Sequence, residues 1–372
     1  MHITQLAQAK THSKLIYSLG FLLLSTFSLH ALCIEATTLT DPESLGKEWQ
    51  SFNASTVNNY ILPAYQSLEK NTKSLNSAIN DLCLAEKKPT EALEKARDAF
   101  HQTMDAWQFI QNIQFGPIQV LMRNYSMQFW PDKKNHVGKH LTSLLETNDL
   151  ATLTEDEFHK ASVSIKGLPA IERFLFDDDE TQQLINKPFH CHVLKRISSY
   201  TEGIGHDLVI EWKEMKMQFT YVSDDGYFES DIDAATALLK ALVEPIEVIR
   251  DLKLLRPLGS EFGQQKMKRL ESWRSQRSLR NIEMNIASLN DLYKNLDGIV
   301  DKTENRLLNE KFMLVLKQIK TMKSPIELSI ETKAGYQEIL NLSDSLKTLH
   351  ALLEKVINNQ GIHLGFNSRD GD

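Results

Sequence analysis

The chain has 372 residues, 41% of them hydrophobic and 24% charged, the balance of a folded protein rather than a disordered or collagen-like one. A net charge of −7, from 42 Lys and Arg against 49 Asp and Glu, argues against a general nucleic-acid binder, which carries a basic footprint. With only 15 Gly and 10 Pro, turn formers are too few for a many-stranded all-β architecture, and a mainly helical body is expected.

Residues 1–33 read as an export signal. Lys10 and Lys14 precede an apolar run, Leu15 to Phe27, which has the length of a signal-peptide core and is too short for a confident membrane span. Small residues follow as far as Ala36, and cleavage after Ala31, Cys33 or Ala36 fits them. The alternatives are an uncleaved anchor and a lipoprotein in which lipidated Cys33 becomes the first mature residue, although Leu32 stands where a lipobox carries Gly, Ala or Ser. Export places the protein in the periplasm or cell envelope, touching the membrane only through such an anchor.

Beyond the signal, helical spacing dominates. In 91–111 the apolar positions Leu93, Ala96, Phe100, Trp107 and Ile110 keep a 3-4 spacing with Thr103 as the gap. Leu279, Ile282, Ile286, Leu289, Tyr293 and Leu296 do the same, as do Leu308 to Met322 and Leu342 to Val356. One apolar stripe per helix is the pattern of packed bundles. Breakers fall at Gly116-Pro117, Trp130-Pro131-Asp132, Gly167-Leu168-Pro169 and Pro257-Leu258-Gly259. The polar segment 223–233 marks the domain boundary and predicts a first helical bundle over 45–222 and a second over 223–372. At roughly 150 residues per domain the length allows both.

Two cysteines remain after signal removal, Cys83 and Cys191. In an oxidising compartment a lone pair is most simply one disulfide, with free thiols, or a metal site on His190-Cys191-His192, as rivals. Other polar clusters have ordinary readings: His136 and His140 share a helix face, His206-Asp207 and Glu211-Trp212 read as a solvated helix edge, and Asp177 to Glu180 as a loop or helix start. No phosphate loop, Cys-x-x-Cys pair, zinc-protease helix or nucleophile elbow occurs.

Several segments are more specific than packing requires. Trp107, Phe115-Gly116-Pro117, Arg123-Asn124 and Phe129-Trp130-Pro131-Asp132 form one series, followed by Gly167-Leu168-Pro169-Ala170-Ile171-Glu172 and its continuation to Phe176. Lys253 to Gly259, Glu271 to Leu279 and Gly365 to Asp372 complete the order. This succession resembles the imelysin-like family, in particular its periplasmic, lipoprotein-like subset, in which cysteines recur at the positions of Cys83 and Cys191. The resemblance implies an all-α fold of two four-helix-bundle-like domains from a cryptic duplication, with a site at their interface, and links the protein to iron acquisition.

The family's Gly-x-His-x-x-Glu motif aligns with Gly167 to Glu172, and its His position is Pro169. Proline cannot ligate, so Glu172 is left as a weak metal ligand by itself, and the peptidase classification of the family loses its zinc-type ligand pair. The equipment instead suits binding. Gly167 starts a helix whose free N–H groups favour an anion, Glu172 can pair with Arg274 or Arg123, and Trp273-Arg274-Ser275 supplies an aromatic face, a guanidinium fork and a hydroxyl. A binding protein for iron, an iron carrier or another small polar ligand, working with envelope iron-uptake partners and not with nucleic acid, is the expectation. Its candidate ligand-binding residues are Arg123, Gly167, Glu172, Trp273, Arg274 and Ser275. A hydrolase and a ligand-free docking protein are the alternatives.

Overall fold

Proline and glycine punctuate the helices where the sequence places them. The computed structural model describes residues 42–85, 89–223, 225–323 and 325–365, and every regular element among them is helical. The signal region with Cys33, and the terminal block after Gly365, lie outside the described residues.

Helix α1 (Pro42–Thr56) passes through a π-helical turn (Val57–Ile61) into α2 (Leu62–Leu84), and α3 (Pro89–Ile110) returns beside α2. Short helices follow: α4 (Arg123–Met127), α5 (His136–Thr147), α6 (Glu155–Lys160), α7 (Leu168–Phe176) and α8 (Asp178–Asn186). They lead into the long α9 (Pro188–Met215), which lies along α2. The second half opens with α10 (Asp231–Glu247), a second π-helical stretch (Val248–Leu255) and α11 (Arg256–Leu258). It continues with α12 (Ser278–Tyr293), α13 (Lys302–Thr321), α14 (Ile326–Ser329) and α15 (Lys333–Asn359).

The apolar stripes read from the sequence are the buried faces of α3, α12, α13 and α15; Phe100, Ile282, Ile286, Phe312, Leu346 and Leu353 are inaccessible to solvent. Burying such faces is the main favourable term in assembling the helices. α2, α3 and α9 pack together in the first half, and α10, α12, α13 and α15 in the second. The halves meet chiefly where α3 lies on α12 and where α1, at the start of the first half, lies on α10. The chain from Pro42 onward is accordingly one compact unit. Cys83, at the end of α2, is bonded to Cys191 in the first turns of α9, with Cα atoms 5.6 Å apart. The neighbours of Cys191 diverge, His190 into the core and His192 to solvent.

A proline interrupts the hydrogen bonding of α10 shortly before the second π-helical stretch. Pro245 lies inside α10 and has no N–H to give to the carbonyl four residues earlier, that of Ala241. That freed carbonyl accepts from Asn112 Nδ2 at 3.1 Å, across the junction between the halves. Asn112 Oδ1 in turn accepts from the hydroxyl of Tyr60 (2.7 Å), which stands in the first π-helical turn and contacts Ser288 Oγ of α12 at 2.6 Å. A buried polar seam thus ties the first π-helical turn to α10 and α12.

Candidate functional site

Below the surface, the junction is built on one buried ion pair. Lys253, from the second π-helical stretch, and Glu271, from the loop before α12, meet at 2.8 Å with side chains 3% and 2% exposed. Buried charges persist only when their hydrogen-bonding capacity is met, and here amides meet it. Lys253 Nζ also donates to Gln108 Oε1 (2.8 Å) and Asn285 Oδ1 (2.7 Å). Glu271 accepts from Gln128 Nε2 (3.0 Å) and Asn281 Nδ2 (3.0 Å). Gln128 is fixed in turn by Trp107 Nε1, 2.6 Å from its Oε1. Burial pushes the Lys253 ammonium down from the ordinary lysine range, and Glu271 opposes that shift.

Beside this seam opens a cleft of about 500 Å³ between the halves. From the first half it receives Glu172 and Arg173 of α7, Asp177 just beyond, and the 128–137 segment; from the second it receives Arg256, Lys268, Arg269 and the loop Ser272 to Arg274. The loop doubles back on itself. Ser272 and Gln276 hold left-handed backbone conformations (φ 52° and 54°), and the Arg277 N–H returns to the Ser272 carbonyl at 3.2 Å. Such a turn presents Trp273 and Arg274 to the cleft while Ser275 points inward.

Glu172 is 5% exposed, and its Oε1 accepts from the Ser275 N–H at 3.0 Å and from Ser275 Oγ at 2.6 Å. Burial raises its pKa above the ordinary carboxylate value, the two Ser275 bonds opposing. Arg274 stacks on Trp273, its guanidinium carbon 4.2 Å from the ring centroid, and its Nε lies 3.3 Å from Asp177 Oδ2. Glu172 and the Trp273-Arg274-Ser275 loop therefore come together, with Ser275 as the direct partner of Glu172 and Asp177 as that of Arg274.

Arg123 is elsewhere. Its guanidinium clamps Glu211 of α9 at 2.6 and 2.8 Å and reaches Asp207 at 3.5 Å, while Nη1 also donates to the Pro117 carbonyl at 3.1 Å. The pairing of Arg123 with Glu172 expected from sequence does not form, because Arg123 serves to hold the 116–123 segment against α9. Asp207 and Glu211, read as a solvated edge, are its counter-charges, and the adjoining Trp212 is fully buried. Gly167 does not line the cleft. It has φ +73°, and a Cβ there would stand 2.1 Å from the Ser126 carbonyl oxygen, so glycine lets α7 start against the end of α4.

The donor set does not fit a catalytic metal. Pro169 replaces the motif His, Glu172 commits an oxygen to Ser275, and among the described residues no group of three or more His, Cys, Asp or Glu side chains is placed to hold an ion.

The Imelysin profile of peptidase family M75 matches residues 61–353. The chain belongs to the imelysin family. A crystal structure of an imelysin-like protein from Psychrobacter arcticum 273-4 is similar over 86% of this chain and 98% of that one, with a TM-score of 0.71 and 18% identity. Another, named as an iron-regulated protein A precursor from Parabacteroides distasonis ATCC 8503, is similar over 83% of this chain and 94% of that one, with a TM-score of 0.68 and 16% identity. No curated protein matches. At these identities the likeness is one of fold; in this chain that fold places Glu172 of the first half against Ser275 of the second.

Sequence reasoning missed Lys253, Glu271 and the amides around them. The available signal was two charged residues, each next to a buried leucine (Leu254 and Leu270), inside the blocks Lys253–Gly259 and Glu271–Leu279.

Proposed function

We propose that this imelysin-family protein is an exported binding protein of the cell envelope, serving iron acquisition, that takes an iron carrier or another small polar ligand in the cleft between its halves. The observation that carries the reading is the convergence on one cleft of polar motifs from distant parts of the chain: Glu172 and Asp177 from one half, Trp273, Arg274 and Arg256 from the other. Its volume lies within the range of small-molecule sites, and its lining combines an aromatic face with guanidinium donors, the means of orienting a polar ligand.

The iron connection draws on the family resemblance and on the name of the Parabacteroides relative. A chelated form of iron suits the lining better than the bare ion, because guanidiniums recognise ligand oxygens and repel cations. Export draws on the signal pattern at residues 1–33; no described helix is long and apolar enough to cross a membrane. Envelope iron-uptake proteins are the partners such a role needs.

Native mass spectrometry with metal analysis on protein purified from its own periplasm tests the proposal. A stoichiometric small-molecule adduct that disappears in Trp273→Ala is expected. Wild-type protein that carries no adduct, and whose melting temperature responds to no iron chelate, would overturn it.

A further inference from the structure

The charge in the cleft is lopsided. Six cationic side chains line it, Lys133, Arg173, Arg256, Lys268, Arg269 and Arg274, against three carboxylates, in a chain whose net charge is −7. The carboxylates are all engaged. Asp132 caps α5, accepting from the His136 and Val137 N–H groups at 2.7 and 2.9 Å; Glu172 holds Ser275; Asp177 faces Arg274. Of the cations, only Arg274 has a carboxylate within ion-pair distance among the described residues.

Two further details point the same way. Arg173 Nε is buried and has no hydrogen-bond partner among the described residues, so the charge of this guanidinium is not met there. Trp273 carries Arg274 over its ring at 4.2 Å and the Lys268 ammonium at 5.7 Å, so one indole holds two positive charges over the cleft. The Arg173 charge also presses on Arg274, whose guanidinium is lowered from its ordinary pKa first by burial and then by that neighbour. Like charges held together in a partly desolvated cleft are relieved by an anion between them.

We propose that the cleft binds a compact oxyanion carrying two or more negative charges, held by Arg173, Arg256, Lys268, Arg269 and Arg274. This rests on the cleft being the ligand site and names the chemistry of what enters it. The guanidiniums match carboxylate or phosphate oxygens in pairs, and the protein then discriminates by charge against neutral and cationic solutes. An iron carrier recognised here is bound through its anionic oxygens.

Calorimetric titration of the full chain with citrate and with pyrophosphate tests this, with glucose and spermidine as neutral and cationic controls. Binding of at least one anion is expected, weakening at least tenfold between 50 and 300 mM salt, as a Coulombic site must on the order of a Debye length of about 10 Å. The double variant Arg256→Gln, Arg269→Gln should lose at least tenfold in affinity with an unchanged melting temperature. Failure of both anions, or wild-type affinity in the double variant, overturns the proposal. If both anions fail yet a natural adduct is present and vanishes in Trp273→Ala, the cleft remains the ligand site and only its anion chemistry falls. If no adduct exists either, both readings fall together.

Discussion

At the scale of single residues, Glu172 shows how position replaces motif. Glu172 lies midway along an otherwise apolar buried face of α7, with Ile171 and Phe174 both fully buried, and among the described residues only Ser275 hydrogen-bonds to its carboxylate. Burial raises its folded pKa above the ordinary carboxylate value, so the folded state binds the proton more tightly than the unfolded chain. The linked stability is present below the unfolded pKa and is lost as pH rises through the folded one. Glu172→Gln removes this dependence. Urea unfolding from pH 4.5 to 7.5 should therefore show the wild type losing stability with rising pH relative to the variant; parallel curves would mean the carboxylate titrates as in the unfolded chain.

At the scale of elements, Lys253 and Glu271 join the second π-helical stretch to the loop ahead of α12. Hydrophobic burial cannot fix that register alone, since the stretch departs from regular helix and its apolar face slips relative to α10. A fully buried pair with amide partners fixes it through directional bonds. Removing one partner strands the other charge, a loss of about 3–5 kcal/mol. Lys253→Met and Glu271→Gln should each show it in denaturant unfolding, and the double variant should lose clearly less than the sum. Additive losses would mean the two charges are stabilised by the amides independently. Cys83–Cys191 works at the same scale, closing a separation of 108 residues between α2 and α9, where chain-entropy estimates are on the order of 4–5 kcal/mol.

Across the whole molecule, the halves are held by polar contacts as much as by packing. Asp105 of α3 receives both Arg277 and Arg280 from the start of α12, the latter at 2.8 Å. His101, one turn earlier, has its pKa lowered to about 4 by burial and then by Arg277. Its neutral ring therefore accepts from Arg277 Nη1 at 3.0 Å. Although burial raises the Asp105 pKa, the two guanidiniums outweigh it and hold the carboxyl below the ordinary aspartate range. The stability it contributes is thus present above the unfolded pKa and is lost as pH falls through the folded one. Asp105→Asn, which strands the largely buried Arg277, should cost about 3 kcal/mol at pH 7. The gap to wild type should narrow as pH falls from the ordinary aspartate range through the lower folded pKa of Asp105; a gap that does not narrow with acidification would assign the loss to packing instead.

The sequence by itself determined the helical class, the buried faces of α3, α12, α13 and α15, and the punctuation at Gly116, Gly167 and Gly259, because period, proline and left-handed glycine act within a few residues of chain. It also pointed to part of the cleft lining, Glu172, Trp273 and Arg274, through blocks that resemble the family, but not to Lys268 and Arg269, and it grouped with them Arg123 and Gly167, which lie elsewhere. It did not determine who pairs with whom. Arg123 and Arg274 are equivalent in one dimension as partners for Glu172, and only the tertiary structure gave Arg123 to Glu211, Arg274 to Asp177 and Ser275 to Glu172. The same holds for Lys253 and Glu271, whose spacing shows no sign of contact. Ion pairs and clefts depend on distances of a few ångströms between segments far apart in sequence, and those distances exist only once α3 has packed on α12 and α1 on α10.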